Sequence, residues 1–387
     1  MRTILKWGLR LVLMALLAAV VVGLWKREEI TRLWAVNTLF DEGKIVGNFS
    51  NMERAFLTVP VSRGDGPVSD LPQGEPMTLP EGVTDWIAAR DLTSLLVLDE
   101  GKIVHESYHK GTGAEDRRIS WSMAKSYLSA LFGILLDEGA ISSIDAPVTE
   151  YAPQLAGSAY EGATIRNVLQ MTSGVEFDED YLDYDSDINR MGRVLALGGT
   201  MDGFAAGLTA RAAQPGERWK YVSIDTHVIG MVVRGATGRS IPDLMAEKVI
   251  TPLGLEAAPY YVSDGEGVAF VLGGLNMRSR DYARFGLMFE QMGAYQGRQV
   301  VPADWVAAST RASAPTEPGK MGYGYQWWMP VDAPEGVFMA RGIYGQYIYI
   351  DQTRDVVIVV TAADRQFRDP GAHAENVGMM RRIAEAL

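Results

Sequence analysis

The sequence Ile119-Ser120-Trp121-Ser122-Met123-Ala124-Lys125-Ser126-Tyr127-Leu128 places a serine and a lysine three residues apart at the start of a predicted helix. Ser122 and Lys125 therefore share one face of that helix, where their side chains can meet. A serine hydroxyl needs a base to become a nucleophile, and a lysine can be that base where burial lowers its pKa. Because the following residues are mostly apolar, the helix is predicted to enter the core, where a lysine without a function would be costly. A pair at this spacing also arises by chance, so an ordinary helix start is the alternative.

Two further segments are candidates for the rest of a catalytic site. In PGERWKYVSIDT (residues 215–226), a turn delivers Tyr221 and Ser223 just before an apolar helix. Tyr221 could relay a proton to or from a leaving group, and beside a lysine ammonium it is expected to ionise more easily. In ARGIYGQ (residues 340–346), small residues before a late strand pair would let a substrate approach the backbone, where an amide could form half of an oxyanion hole. In isolation, an aromatic packed on its helix is the better explanation of Tyr221, and a strand start with a β-bulge is the alternative for residues 340–346.

The composition narrows the chemistry further. The 387 residues include no cysteine and only four histidines, which excludes disulfides, a thiol nucleophile and metal sites built on cysteine. Acidic residues outnumber basic ones 48 to 36, so the chain lacks a general basic surface for nucleic acid. We expect no metal, no other cofactor and no nucleic-acid partner. The oligomeric state is left open.

The first thirty residues differ from the rest. Residues 7–25 are almost entirely apolar and carry a tryptophan at each end, Trp7 and Trp25, in the interfacial position of a membrane span. Their number suits a spanning helix, which needs roughly 17–25 residues. Because no clean small-residue cleavage site follows, we expect an uncleaved anchor within residues 1–30 that contacts the lipid bilayer through residues 7–25. This predicts a single-pass protein of the inner membrane with its catalytic domain in the periplasm. The alternative is a secreted or periplasmic protein released after signal cleavage.

Strand and helix patterns predict the fold class. Residues 60–84 are rich in proline and glycine, and they predict an irregular connector within an arm spanning residues 31–84. Strand-like pairs follow at both ends of the remaining chain, at 95–98 with 103–108 and at 347–350 with 356–360. Helical patterns lie at 121–137, 223–236, 241–249, 279–292 and 374–387. We therefore expect an α+β domain over residues 85–387, with one antiparallel sheet built from both ends, flanking helices and a mainly helical subdomain.

Together these segments resemble the serine hydrolases that share the class C β-lactamase and penicillin-binding-protein fold. In that family an S-x-x-K helix, a Y-x-N or Y-x-S turn and a K/H-T-G-like strand follow in this order. Further segments are similar to family motifs: TIRNVLQMTSG (164–174), GGLN (273–276) with RDYARFG (280–286), and GYGYQWW (322–328). The Tyr-x-Ser-x-Asp-Thr form of the second motif, with DEDY at 178–181, is similar to the 6-aminohexanoate-dimer hydrolase branch.

The resemblance implies a role for each matching residue. Ser122 would be the acylated nucleophile, Lys125 its base and Tyr221 the proton relay to the leaving group. The backbone amides of Ser122 and Ile343 would form the oxyanion hole. The expected substrate-binding residues are Tyr181, Ser223, Gly342 and Tyr344.

One departure bears on the substrate. Ala340-Arg341 stands where lactamases and D-Ala-D-Ala peptidases carry a Lys or His followed by Thr. That cation pairs with a substrate carboxylate, and strand alternation is expected to aim Arg341 at the other strand face. The sequence therefore favours hydrolysis of a small carboxylic ester or a 6-aminohexanoate-like linear amide through an acyl-enzyme on Ser122. The alternatives are a β-lactamase or D-Ala-D-Ala carboxypeptidase and, from another class, a catalytically silent binding protein of the cell envelope.

Overall fold

The computed structural model describes residues 2–387. The strands are β1 (Leu57–Pro60), β2 (Leu92–Asp99), β3 (Lys102–Tyr108), β4 (Arg118–Ile119), β5 (Tyr260–Ser263), β6 (Leu275–Met277), β7 (Ala294–Tyr295), β8 (Arg298–Gln299), β9 (Gly322–Tyr323), β10 (Trp328–Met329), β11 (Val337–Gly342), β12 (Gln346–Asp351) and β13 (Val356–Ala362). The helices are α1 (Arg2–Trp25), α2 (Arg27–Asn37), α3 (Ile45–Phe49), α4 (Val83–Ala89), α5 (Ala124–Asp137), α6 (Val148–Tyr151), α7 (Ile165–Leu169), α8 (Asp187–Ala196), α9 (Met201–Ala206), α10 (Ser223–Thr237), α11 (Ile241–Met245), α12 (Thr251–Leu253), α13 (Ser279–Glu290), α14 (Ala303–Ser309) and α15 (Ala372–Ala384).

A seven-stranded antiparallel sheet joins the two ends of the segment from residue 92 to residue 362. Its order is β3-β2-β13-β12-β11-β10-β9, so strands from residues 92–108 lie directly beside strands from residues 346–362. In the pair that joins the two ends, Val97 of β2 lies opposite Ile358 of β13. A smaller sheet has the order β1-β5-β6-β4. The prediction of an α+β fold with one antiparallel sheet from both ends is confirmed.

The central strands are buried along their whole length because helices cover both faces of the sheet. Every residue of β12 and β13 is buried. Alternate residues enter different cores: Val357 and Val359 pack in the core that holds α5 and α13, whereas Ile358 and Val360 pack in the core beside α4 and α15. The sheet is thus a buried support for β11, which lies within it between β12 and β10.

The predicted helices are present with small shifts of their ends. The segment 121–137 forms a short 3₁₀ turn, Trp121–Met123, followed by α5. The segment 241–249 forms α11 and a π-helical turn, Ala246–Ile250. Helices α6 to α10 lie between the two halves of the sheet in sequence and form the mainly helical part. Within it α10 packs against α6 and α7, and α10 also packs against α5.

The arm before the sheet is folded into the body of the protein. Leu39, Phe49 and Phe56 are buried in the same core as α5, and β1 pairs with β5. Residues 61–82 are largely irregular, as their proline and glycine content predicts. In front of the arm, Ile4–Trp25 forms an exposed helix long and apolar enough to cross a membrane, a property that a signal sequence shares.

Candidate active site

Ser122 lies in the 3₁₀ turn that precedes α5, and its side chain is partly exposed. The turn is fixed on both sides, because β4 pairs with β6 just before it and α5 is buried just after it. Trp121 has a φ of +43°, a conformation that bulky residues rarely adopt. Such strain persists where the surrounding structure enforces it, and it is common at functional sites. The turn thereby presents Ser122 at the surface of a cleft.

Lys125 lies in the first turn of α5 and is almost completely buried, with 2% of its surface exposed. Its Nζ donates a hydrogen bond of 2.9 Å to the carbonyl oxygen of Leu272. Burial lowers the pKa of Lys125 to about 7, although the carboxylates of Glu179 and Asp225 oppose this effect. A substantial fraction of the amine is therefore neutral near pH 7 and able to accept a proton.

Tyr221 lies two residues before α10, and its ring centroid is 5.5 Å from the Nζ of Lys125. Burial raises the pKa of Tyr221 well above its usual value, while contact with the Ser122 hydroxyl and the charge of Arg341 act in the opposite direction. The expectation of easier ionisation is wrong, because the cost of burying a phenolate outweighs the nearby positive charge. Tyr221 is therefore a protonated group at neutral pH and is suited to proton donation.

The end of β11 comes into contact with the turn that carries Ser122. A Cβ atom at Gly342 would lie 2.6 Å from the carbonyl oxygen of Ser120 and 3.1 Å from the amide nitrogen of Ser122. Only glycine permits this approach, and Ile343 beside it lines the cleft together with Ser122. Tyr344 follows with a φ of +59°. Two amides held on rigid backbone are the elements that an oxyanion hole requires.

Glu179 is a member of this site that the sequence reasoning missed. Its carboxylate accepts hydrogen bonds from the backbone amide of Ser223, from the Ser223 hydroxyl at 3.2 Å and from the Tyr181 hydroxyl at 2.9 Å. Burial raises the pKa of Glu179. Through its hydrogen bonds, Glu179 holds two of the predicted substrate-binding side chains, Tyr181 and Ser223, from one point. The sequence showed an acidic run at 178–180, but nothing in the pattern indicated which carboxylate turns inward.

Asp225 lies behind the site and was likewise not assigned a role. It is completely buried in α10 and accepts a hydrogen bond of 2.8 Å from the Tyr160 hydroxyl. Burial raises the pKa of Asp225 to about 8. Asp225 and Glu179 both lie close enough to Lys125 for their charges to raise its pKa, against the larger effect of burial. Among residues 2–387, no group of three or more acidic or histidine side chains is arranged to hold a metal ion.

Two cavities meet at Ser122. The first has a volume of about 290 Å³ and is mainly apolar, and its lining includes the predicted residues Ser223 and Tyr344. The second has a volume of about 400 Å³ and is lined by Tyr221, Gly342 and Arg341, among others. Ser122, Tyr181 and Ile343 line both cavities. The predicted residues are thus brought together around one cleft, apart from Lys125, which is buried beneath it.

The position of Arg341 corrects the expectation that it points away from the site. Arg341 does lie on the opposite face of β11 from Ala340, but that face borders the second cavity. Its guanidinium lies 5.5 Å from the ring centroid of Trp328. His373 in the same cavity is neutral, because burial and the charge of Arg341 lower its pKa to about 3. Arg368, the other arginine that lines this cavity, is paired with Asp180 at 2.6 Å. This leaves Arg341 as the cation available to a ligand.

Comparisons with known proteins identify the family and the fold. A family model described as beta-lactamase matches residues 88–377. The 6-aminohexanoate-dimer hydrolase of Paenarthrobacter ureafaciens is 30% identical over 355 residues, which cover 87% of each chain. Among solved structures, "Putative 6-aminohexanoate-dimer hydrolase from Bacillus anthracis" has a TM-score of 0.79 at 22% identity and covers 89% of this chain and 95% of its own. EstCE1, a hydrolase with promiscuous acyltransferase activity, has a TM-score of 0.60 at 14% identity and covers 77% and 96%.

Proposed function

The chain belongs to the beta-lactamase family, whose members similar to it are named as hydrolases, and from this premise we propose that it is a serine hydrolase acting through an acyl-enzyme on Ser122. The observation that carries the proposal is the state of Lys125. A buried lysine with a pKa near 7, one helical turn from a partly exposed serine, has the properties of a general base. No thiol, imidazole or metal is needed in this scheme.

The proposed reaction begins when the neutral Nζ of Lys125 takes the proton of the Ser122 hydroxyl. The serine oxygen attacks the carbonyl carbon, and the oxygen that becomes negative is stabilised by the amides of Ser122 and Ile343. As the bond to the leaving group breaks, the leaving atom takes a proton from the Tyr221 hydroxyl, which recovers one from the Lys125 ammonium. Water then attacks the acyl-enzyme by the same proton transfers in reverse and releases the acid.

The proposed substrates are esters and linear amides, including small carboxylic esters and 6-aminohexanoate-like amides. The likeness to the 6-aminohexanoate-dimer hydrolase of Paenarthrobacter ureafaciens supports the amide side of this range. The cleft supports it as well, because cavities on both sides of Ser122 accommodate an extended molecule. In this proposal Tyr181, Ser223, Gly342 and Tyr344 contact the substrate, and Glu179 holds Tyr181 and Ser223 in position.

A steady-state panel tests the proposal. Purified protein is assayed against p-nitrophenyl acetate, the linear dimer of 6-aminohexanoate and nitrocefin, with Ser122→Ala as the matched control. We expect hydrolysis of the ester or the amide that is lost in Ser122→Ala. A wild-type protein that turns over none of the three substrates and forms no adduct on Ser122 would instead support a catalytically silent binding protein of the envelope.

A penicillin-recognising enzyme is the second candidate, and Arg341 is the observation that favours it. The absence of a Lys or His at position 340 argues against β-lactams, but Arg341 supplies a cation on the Tyr221 side of the cleft. A carboxylate on the leaving half of a β-lactam would find this cation. Turnover of nitrocefin at a rate above that of the ester and the amide would make this candidate the better description.

We also propose that α1 anchors the protein in the inner membrane, that residues 31–84 form the arm and that residues 85–387 form the catalytic domain in the periplasm. The exposed apolar surface of α1 supports an anchor, and a cleaved signal is the alternative. The test is the intact mass of protein recovered from membranes after an alkaline carbonate wash. A full-length mass in the washed membranes supports the anchor, whereas a shorter soluble form contradicts it.

A further inference from the structure

The first cavity differs from the second in the origin and chemistry of its wall. Part of the wall comes from the arm, through Leu39, Phe40 and Phe56, and part comes from α8, through Met191 and Leu195. The arm reaches a predicted substrate-binding residue directly, because the ring of Phe40 stacks on that of Tyr344 with centroids 4.8 Å apart. The cavity beside the nucleophile is therefore shaped by a segment that precedes the sheet by about fifty residues.

No aspartate or glutamate is among the residues described as lining the first cavity. Its one charged lining side chain, Arg193, lies 4.0 Å from the ring centroid of Tyr184 and donates to the carbonyl oxygen of Tyr184 at 2.6 Å. The side-chain amide of Asn189 donates to three carbonyl oxygens of the loop before α8. These polar groups are engaged with the protein, so the cavity offers a ligand a mainly apolar surface and no lining carboxylate to pair with an ammonium group.

The positions of the proton donor and the nucleophile assign each cavity to one part of the substrate. Tyr221 lines the second cavity and not the first. Because the leaving group must take its proton from Tyr221, it occupies the second cavity, and the acyl part must extend into the first.

We propose that the first cavity is a site for an uncharged aliphatic acyl chain, which makes esters and amides of medium-chain fatty acids the substrate class. This inference rests on the proposed function and narrows it. A cavity of 150 Å³ can hold benzene, and by that scale about 290 Å³ accommodates roughly ten carbon atoms. A 6-aminohexanoyl group would place its ammonium against apolar side chains, which is costly.

The test is a series of p-nitrophenyl esters from acetate to dodecanoate. We expect kcat/KM to rise by up to about fourfold for each methylene group that enters the cavity, and to level off at roughly ten carbons. A matched pair of amides, the 4-nitroanilides of hexanoic acid and of 6-aminohexanoic acid, separates chain length from charge. We expect the hexanoyl amide to be the better substrate by at least about tenfold.

Gly192 on α8 allows the cavity to be narrowed. A Cβ atom there meets no neighbour within 4 Å, so Gly192→Phe can extend its ring without displacing the helix. We expect the ratio of kcat/KM for p-nitrophenyl octanoate to kcat/KM for p-nitrophenyl acetate to fall by at least about tenfold. This corresponds to the loss of two buried methylene groups. Gly378→Phe, at an exposed position of α15 with similar free space, is the control and should keep the wild-type ratio.

The outcomes separate this inference from the function on which it rests. Hydrolysis of p-nitrophenyl acetate with an adduct on Ser122, but without a preference for longer acyl chains, would overturn the acyl-chain site. It would leave the assignment as a serine hydrolase intact. Equal or faster cleavage of the 6-aminohexanoyl amide would do the same. The absence of both ester hydrolysis and a Ser122 adduct would overturn the proposed function itself.

Discussion

The Nζ of Lys125 donates a hydrogen bond of 2.9 Å to the carbonyl oxygen of Leu272 at a position where the amine is almost entirely buried. A carbonyl can accept this bond from a neutral amine as well as from an ammonium. The bond therefore holds the lysine in place in both protonation states, which a group that alternates between them during a reaction requires.

The first prediction concerns pH. Because burial lowers the pKa of Lys125 to about 7 and only the neutral amine can accept a proton, activity should fall as pH decreases through about 7. Below that value kcat/KM should drop about tenfold for each pH unit. Burial holds the pKa of Tyr221 high, so its ionisation should not reduce activity near neutrality. The measurement is a profile of kcat/KM between pH 5 and 9, and a profile that is flat between pH 5 and 7 would contradict the role of Lys125.

The variant Glu179→Gln tests whether that profile reports on Lys125. The carboxylate of Glu179 raises the pKa of Lys125, so its removal should move the acidic limb to lower pH. Glu335→Gln, at an exposed position away from the cleft, should leave the limb unchanged. An acidic limb that stays in place or moves to higher pH in Glu179→Gln would assign it to another group.

The second prediction distinguishes the proton donor from the base. In Tyr221→Phe, an amide leaving group loses the hydroxyl that protonates it, whereas a p-nitrophenolate leaves without protonation. We expect kcat for an anilide to fall by about 10²–10⁴ and that for the p-nitrophenyl ester of the same acid to fall much less. Equal losses for the two substrates would show that Tyr221 acts on the attack rather than on the departure.

The third prediction concerns the contact between β11 and the nucleophile turn. In Gly342→Ala, the added Cβ would lie 2.6 Å from the Ser120 carbonyl oxygen, so the strand must move away from Ser122. We expect kcat to fall by about 10², the effect of losing one oxyanion-hole donor, with a small change in KM. The helical variant Gly378→Ala, whose Cβ meets no neighbour, should retain full activity. Wild-type kcat in Gly342→Ala would contradict the assigned oxyanion hole.

The fourth prediction concerns Arg341 and the leaving group. Arg341→Met removes the free cation of the second cavity, so substrates with a carboxylate on the leaving half should bind less well. We expect KM for a 3-carboxy-4-nitroanilide to rise by about 10–100-fold, the equivalent of one charge-assisted hydrogen bond, and KM for the plain 4-nitroanilide to stay nearly constant. Arg298→Met, at an exposed strand position, is the control. Parallel changes for both anilides would show that Arg341 does not bind the carboxylate.

Much of the fold could be predicted because its signals are local. The apolar runs of β2 and β13 and the periodicity of α5 and α10 follow from side-chain spacing within one element. The burial of Lys125 could be predicted for the same reason, since apolar residues surround it on its own helix.

The remaining features depend on contacts between distant segments. Alternation along β11 correctly places Ala340 and Arg341 on opposite faces of the strand. It does not reveal that the face carrying Arg341 borders the cleft. Glu179 is one carboxylate in an acidic run, and only the approach of Ser223 shows that it turns inward. The part played by Phe40 depends on the docking of the arm onto Tyr344, a contact across about three hundred residues.

The acylation of Ser122 tests the central claim most directly. Wild-type protein and Ser122→Ala are treated with a fluorophosphonate probe, and their intact masses and digested peptides are compared. We expect one adduct per wild-type chain, located on the peptide that contains Ser122, and none on Ser122→Ala. A wild-type protein without an adduct, or an adduct that persists in Ser122→Ala, would contradict the assignment of Ser122 as the nucleophile.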